Sequence, residues 1–442
     1  MIASGSMALL QAGTPVGVGL YYEHLGGQRY KLMAELLRDC RGLSFTSTIG
    51  GALRSGSCST SLTLTRDSIR EIPITCKNQL VCSPKNSVSG EGREIHRYAI
   101  TIDFSQTPYS AYNQASCCEV LFVMNDGHSF RPSTLVTVNG PTSLYASCTL
   151  NLCQRTGLPK NNSSARLATD LPVHLRVNQI HQVSAYAADP DGDSLVYGLA
   201  TPRVDASSPV TYVRSFSASN PITSFCPGPS PCAPNPNPNL PRGFNFNPRT
   251  GEMLFQPSAI HEISLFAIEI TEYRRDSNGV MQKVGSSYHE RIWSTINGGV
   301  NNPPLITMSN EALICAGDKR CVAIKLEDKP FLSTMAPDTL SWDWSSNHPN
   351  VTVSASQTVP NEISLQICFT TAADDSAGKS YFFSVMTADS YCPQPARSQR
   401  TMHVRVMRRP DFKMRLSKLP GSRMVLQLNS KDTTAQFSAT VL

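Results

Sequence analysis

The sequence predicts an all-β chain of tandem β-sandwich domains, and three features predict it. Charged residues make up only 16% of the 442, while Ser, Thr, Asn, Pro and Gly are abundant, which is the balance of strands and turns rather than of helical bundles. Short apolar runs such as "YAITIDF", "EVLFVM" and "YFFSVMTA" recur between turn clusters such as Asn125-Asp126-Gly127, the grammar of sandwiches. The length suits roughly two to four domains, each able to bury its own core.

Residues 1–15 read as a leader or fusion scar: no Lys or Arg precedes the short apolar run of "MIASGSMALL", so it makes a poor signal peptide. Residues 16–161 form a disulfide-rich N-terminal β-sandwich domain. It opens on a hairpin, with Val18, Leu20 and Tyr22 on one face, a turn at Gly26-Gly27, and Tyr30, Leu32 and Ala34 returning. The run Lys31–Leu37 is made of helix formers, yet the alternation favours a strand.

Residues 162–299 form a second domain. Its Pro-rich insertion "CPGPSPCAPNPNPNLPRG" cannot pair into a sheet and must be an exposed loop, stapled by Cys226 and Cys232. Gly298, Gly299, Pro303 and Pro304 mark an interdomain hinge. Residues 300–408 repeat the strand grammar, with Trp342 and Trp344 expected as core anchors on one strand face. Residues 409–442 hold a further hairpin around Pro420-Gly421, the start of another β domain or an edge addition.

The formal net charge is +6, but from Thr401 onward eight Lys or Arg face only Asp411 and Asp432, so the main body is neutral. Nucleic-acid binding is not expected. No apolar stretch approaches the roughly 20 residues of a spanning helix, so no membrane insertion is expected. The fourteen cysteines form no CxxC pair and no zinc-finger spacing, and they fall into even regional groups. Disulfides in an oxidising compartment follow, with Cys226 bonded to Cys232, the cysteines at 315, 321, 368 and 392 paired among themselves, and no free thiol. Neighbours Cys117 and Cys118 should bond different partners.

"ADPDGDSLVYGL" places Asp189, Asp191 and Asp193 at alternate positions before a strand. The spacing offers carboxylates at positions 1, 3 and 5 of a calcium loop, a donor set for a hard cation. Ser194 and Ala200 stand where an EF-hand needs Gly and Glu, so this is not one. The plain reading is an Asp-Gly turn feeding Leu195, Tyr197 and Leu199 into a core; both readings can hold together. The patterns GxSxG, HExxH and the P-loop are missing. His261-Glu262 and His289-Glu290 read as surface or strand residues, and the sequons at Asn161-Asn162-Ser163-Ser164 and Asn350-Val351-Thr352 as polar turns.

Several segments in order resemble a family of large secreted or surface-displayed multidomain proteins of the Bacteroidetes type, the gliding-motility-associated proteins built from PKD, cadherin-like and Ig-like repeats. The resemblance is carried by "YYEHLGGQRYKLMAELLRDCRG", Cys117-Cys118, "ADPDGDSLVYGL", "VTYVRSFSASNPI", "FNPRTGEMLFQP", "FAIEITEYR", "NNPP" and "CAGDKRCVAIKL". A cysteine expected just before Asn301-Asn302 is missing, as is a C-terminal secretion domain, which leaves the export route open.

The resemblance implies tandem Ig-like and cadherin-like sandwiches at the cell surface, with Ca2+ at Asp189, Asp191 and Asp193. The expected function is a non-enzymatic extracellular structural or adhesive segment, linked to gliding motility or surface attachment and binding a surface glycan or protein ligand. One alternative is a subunit of an extracellular filament that self-associates through strand edges. Another is a set of accessory modules of a secreted hydrolase.

Overall fold

A computed structural model describes residues 15–39, 44–72, 93–124, 136–139, 145–153, 161–167, 171–237, 240–373, 380–391, 395–407, 412–419 and 423–430. Among these, the regular elements are strands and one 3-10 turn at Tyr109–Asn113.

The first seven strands are β1 (Pro15–His24), β2 (Arg29–Asp39), β3 (Thr48–Ser55), β4 (Cys58–Ile72), β5 (Arg93–Asp103), β6 (Glu119–Met124) and β7 (Ala146–Asn151). Gly26 and Gly27 take φ of 100° and 60°, the left-handed region the β1–β2 turn requires. In β2 the helix formers are overridden: Leu32, Ala34 and Leu36 alternate into the core while both strand edges pair, with β1 and β5. The core gathers Leu20, Tyr22, Leu53, Tyr98, Phe104 and Phe122.

Nine strands follow: β8 (Arg166–Leu167), β9 (His174–Arg176), β10 (His181–Ser184), β11 (Ala187–Ala188), β12 (Ser194–Ala200), β13 (Asn245–Phe246), β14 (Glu252–Phe255), β15 (Ile263–Arg275) and β16 (Met281–Ile296). Strands β12, β15 and β16 form one layer and β10, β14 and β13 another. Between them lie Leu195, Tyr197, Phe255 and Ile268, packed around Trp293, whose ring stacks on Phe266 at 3.7 Å.

Strand β16 belongs to both groups. One edge pairs with β15 along most of its length, from Ile263↔Ser294 to Arg275↔Met281. The other edge is divided: Gly285 to Tyr288 pair with β7, Glu290 and Arg291 with β1, and Ser294 to Ile296 with β9. The path β1-β2-β5-β4-β3-β6-β7-β16 therefore returns to β1 and closes. The sheet runs without a break from one side of residue 161 to the other.

The next eight strands are β17 (Leu305–Thr307), β18 (Glu311–Cys315), β19 (Lys319–Glu327), β20 (Ser341–Ser346), β21 (Val351–Val359), β22 (Glu362–Thr370), β23 (Ser380–Ala388) and β24 (Arg397–Met407). They make two four-stranded sheets, β17-β19-β22-β21 and β18-β24-β23-β20. Leu326, Ile367, Phe369, Phe383 and Val404 are buried between them. The chain closes with a separate two-stranded sheet, β25 (Phe412–Leu419) and β26 (Arg423–Ser430), the hairpin expected around Pro420-Gly421.

The segment from Gly298 to Asn301 is held by side chains rather than left as a free hinge. Gln179 Nε2 donates to Gly298 O at 2.6 Å and also to Asn301 O, and a Cβ on Gly298 would collide with Val177 O. Beyond it, Glu252 Oε1 accepts from Arg400 Nε at 3.1 Å and from Thr401 N at 2.9 Å. Ser184 and Thr401 hydroxyls meet at 2.7 Å, and Ile306 N donates to Gln182 Oε1 at 3.1 Å.

The disulfides correct two expectations. Cys58–Cys117, Cys118–Cys153 and Cys226–Cys232 form, so the neighbours Cys117 and Cys118 do take different partners. In the third group Cys321 sits directly opposite Cys368 on β19 and β22 and bonds it. Cys315, on the other sheet, stays free, and so does buried Cys148. Cys40, Cys76, Cys82 and Cys392 lie outside the described residues. Trp342 packs against the third core, but Trp344 lies on the edge strand β20, 39% exposed and stacked on Phe383. The buried tryptophan is Trp293.

At the base of the third group, Asp328 is buried with Oδ1 unpartnered. Burial pushes its carboxyl up to about 7, and the charges of Asp389 and Asp338 add to the effect. Burial likewise lifts Asp389 to about 6, against the hydrogen bond from Asn301.

Two outcomes follow from this architecture. Alkylation of the denatured, unreduced protein should label Cys148 and Cys315, and peptide mapping should recover the four bonds; Cys58→Ala with Cys117→Ala should lose about 2–4 kcal/mol. For Asp328 the folded carboxyl titrates above its unfolded value, so its contribution is full below about pH 4 and is lost as pH rises through about 7. Asp328→Asn should therefore narrow the stability gap between pH 5 and pH 8 in denaturant titrations, and an unchanged gap would refute the assignment.

Candidate metal centre at the first joint

The Asp-Gly turn forms as the sequence suggests. Gly192 adopts φ 77°, and Asp189 Oδ1 accepts the backbone N–H groups of Asp191 at 2.9 Å and Asp193 at 3.0 Å. The turn aims Leu195 and Tyr197 into the core, where they pack with Ile268 and Trp293, and leaves Leu199 partly buried against them.

The three aspartates part company. Asp189 and Asp193 are buried, whereas Asp191 is exposed. Asp191 Oδ2 accepts Ser163 N at 2.6 Å and lies 3.3 Å from Arg274 Nη2. The third buried carboxylate is Glu272, fully enclosed: oxygens of Asp189, Asp193 and Glu272 all lie within 4.8 Å of one another. Antiparallel pairing brings Glu272 there, because Leu195 on β12 faces Glu272 on β15. No local motif announces it; the only sequence signal is an acid continuing the buried face of Ile268 and Ile270.

A bulge and a glycine make the space. The register of β15 with β16 shifts between Glu272 and Tyr273, leaving Val284 extra on β16. A Cβ on Gly285 would collide with Glu272 Oε2 and stand 2.8 Å from Tyr22 Oη. Glu272 Oε1 accepts Ala165 N and Oε2 accepts Asn162 Nδ2, both at 2.7 Å. Asn162 Nδ2 also donates to Tyr22 Oη at 2.8 Å, and Ser164 exchanges hydrogen bonds with the Tyr22 backbone. Asn162, Ser163 and Ser164, expected as polar turns, are buried and strap β1 to the second group.

The resident cation is Arg274. Its Nε and Nη2 grip Asp193 at 2.5 and 2.7 Å, and Nη2 and Nη1 donate to Asn162 Oδ1 and Asn161 O. One guanidinium faces four carboxylates, so charge remains to be balanced. Burial, joined by the charges of Asp193 and Asp191, pushes Asp189 up to about 7, and burial with the charge of Asp189 pushes Glu272 up to about 8. Asp189 Oδ2 is buried without a hydrogen-bond partner. That oxygen, with near neighbours on Asp193 and Glu272, is the donor set a hard divalent cation takes.

The remaining sequence pairs do not gather into a catalytic set. Glu262 is buried and accepts Thr223 N at 2.9 Å, beside exposed His261. His289 and Glu290 are buried on β16; Glu290 Oε1 accepts Tyr288 Oη and Arg203 N. A cleft of about 820 Å³ opens beside the stapled Pro-rich loop, lined by Pro234, Pro236, Phe244, Phe246, Met253 and Arg400.

No protein-family model and no curated protein matches the chain. Solved structures to which it is similar include the extracellular cadherin domains 1–4 of protocadherin gamma B7, at 12% identity over 86% of this chain and 84% of that one, TM-score 0.17. The D1–D4 ectodomain fragment of ICAM-5 is similar at 12% identity over 88% and 75%, TM-score 0.17. A GspB Siglec domain is similar at 13% identity over 27% of this chain, which spans 65% of that domain, TM-score 0.19. The sandwich assignment rests on the strand pairing of the chain itself.

Proposed function

We propose that the chain is a non-enzymatic extracellular segment of a cell-surface protein, a stiff array of β-sandwiches that carries adhesive loops and is braced by calcium at its first joint. The observation that carries this reading is the place of the carboxylate cluster. It sits where the strap Asn162–Ser164 ties β1 to the second group, so a cation there neutralises the joint rather than a surface. The four disulfides among the described residues suit an oxidising compartment. The cleft beside the Pro-rich loop offers an exposed, rigidly mounted surface for a glycan or protein ligand, in surface attachment or gliding motility.

Asp189 and Glu272 supply donors that are otherwise crowded acids, and calcium supplies the missing positive charge; Asp193 and Asp191 share Arg274 between them. A filament subunit is the second reading, favoured by the β25–β26 hairpin, which pairs with no other strand among the described residues. Ordered polymers at micromolar concentration would support it over the stalk.

Melting curves test the brace. Stability in calcium should exceed that in chelator by about 2.7 kcal/mol when the free ion reaches a hundred times its dissociation constant, and Asp189→Asn and Glu272→Gln should each abolish the difference. Identical wild-type curves would show that protons alone neutralise the cluster. The location has its own test: protease treatment of intact cells should remove the chain, and full protection would overturn the surface assignment.

A further inference from the structure

The two sheets of the third group end in four edge strands, β17, β18, β20 and β21. Three of them are blunted in ways that keep an edge from pairing with another chain: β17 has three residues, β18 has five and begins on Glu311, and β20 carries exposed Asp343. β21 has no such protection. It runs nine residues, Val351–Val359, with no charged residue and no proline, and it is rich in the β-branched residues that favour strands. One of its edges pairs with β22, and the other pairs with nothing among the described residues.

The core of the third group covers only the start of this strand. Val351 and Val353 pack against it, whereas every residue from Ser354 to Val359 is exposed, on both faces of the sheet. The Ser354 and Ser356 hydroxyls donate to carbonyls of their own ladder, Gln366 O and Ser364 O, at 3.5 Å. Four residues separate β20 from β21, so these two edges open on one side of the sandwich, where Trp344 and Val359 stand 39% and 44% exposed. The strand is also self-complementary. Val351-Thr352-Val353-Ser354-Ala355-Ser356-Gln357-Thr358-Val359 reads almost identically in both directions, with Val353 against Gln357 the one mismatch. The bulge between Gln357 and Val359 limits a straight ladder to residues 353–357, and Ala355 is its centre.

We propose that the free edge of β21 is an interface for a second copy of this chain, paired antiparallel about a two-fold axis at Ala355. Ser354 of one copy then faces Ser356 of the second copy on the outer face, and Val353 faces Gln357 of the second copy on the face that carries the core. Neither edge bears a charge, so no like charges are set opposite each other. Main-chain hydrogen bonds supply the attraction, and the second copy covers Trp344 on the neighbouring edge. The contact is isologous and closes at two copies. It needs neither the calcium brace nor the β25–β26 hairpin of the filament reading, which would grow without closing.

Sedimentation velocity at protein concentrations from about 1 to about 100 µM should show the monomer giving way to a species of two copies and nothing larger. Ser354→Lys combined with Ser356→Lys sets like charges opposite each other twice across the axis, and should raise the dissociation constant at least about tenfold. Ser354→Lys combined with Ser356→Glu sets opposite charges there instead, and should restore the dimer to within about threefold of the wild type. Both positions are exposed, and melting curves establish that each variant is folded. A wild-type chain that stays monomeric throughout this range or assembles beyond two copies, a dimer indifferent to the two lysines, or one that the lysine and glutamate combination fails to restore would overturn the proposal.

Discussion

The structure depends on the divided edge of β16. A strand has two edges, and one of β16's is taken by β15 along most of its length. The other serves β7, β1 and β9 in turn. Because β1 and β7 are the two ends of the first group's sheet, their meeting on one strand closes that sheet and removes exposed edges that invite aggregation. Closure also fixes position: a slip of one residue along β16 would turn every buried side chain outward, and both cores would be lost together. The seam leaves residues on either side of it, the acidic cluster at Gly285 and the Arg291 side chain that donates to Val18 O on β1, under the same register.

This explains what could be read from the sequence. The Asp-Gly turn, the β1–β2 hairpin and the Cys226–Cys232 staple are local, and their residues declare them. Glu272 is not local: it joins Asp189 and Asp193 only through the β12–β15 ladder, and room for it comes from Gly285 on a third strand. Asp191 is the converse, a residue of the motif that the turn itself points toward solvent. Cys315 and Trp344 show the limit again. Even counts and apolar character suggested a bond and a core position, but pairing between sheets and edge placement decide both, and neither is written in the neighbouring residues.

The acidic cluster also shows why a buried motif need not be finished by protein atoms alone. Arg274 binds both oxygens of Asp193 and reaches Asp191, yet Asp189 and Glu272 remain without a cation in a medium that penalises charge. Glu272 receives two strong hydrogen bonds and Asp189 Oδ1 two more, which hold the carboxyl groups in place whether they are charged or not. Protons or a cation must then supply the balance. The geometry is set before either arrives, because the straps that orient the oxygens belong to the joint.

The two joints are held together by different means. At the first, a shared strand makes the two groups one sheet, and polar straps act on something already fixed. At the second no strand is shared, so the work falls to side chains: Glu252 to Arg400 and Thr401, Ser184 to Thr401, Gln182 to Ile306 on β17, and Gln179 to the linker. Such contacts are directional, and a buried polar group that loses its partner is penalised by about 1–3 kcal/mol, so a small rotation at this interface breaks several at once. Apolar packing alone would tolerate sliding. The buried rings of Tyr186 and Phe382, 5.7 Å apart, add an apolar contact, and the directional bonds around them fix the register in which the two sandwiches meet.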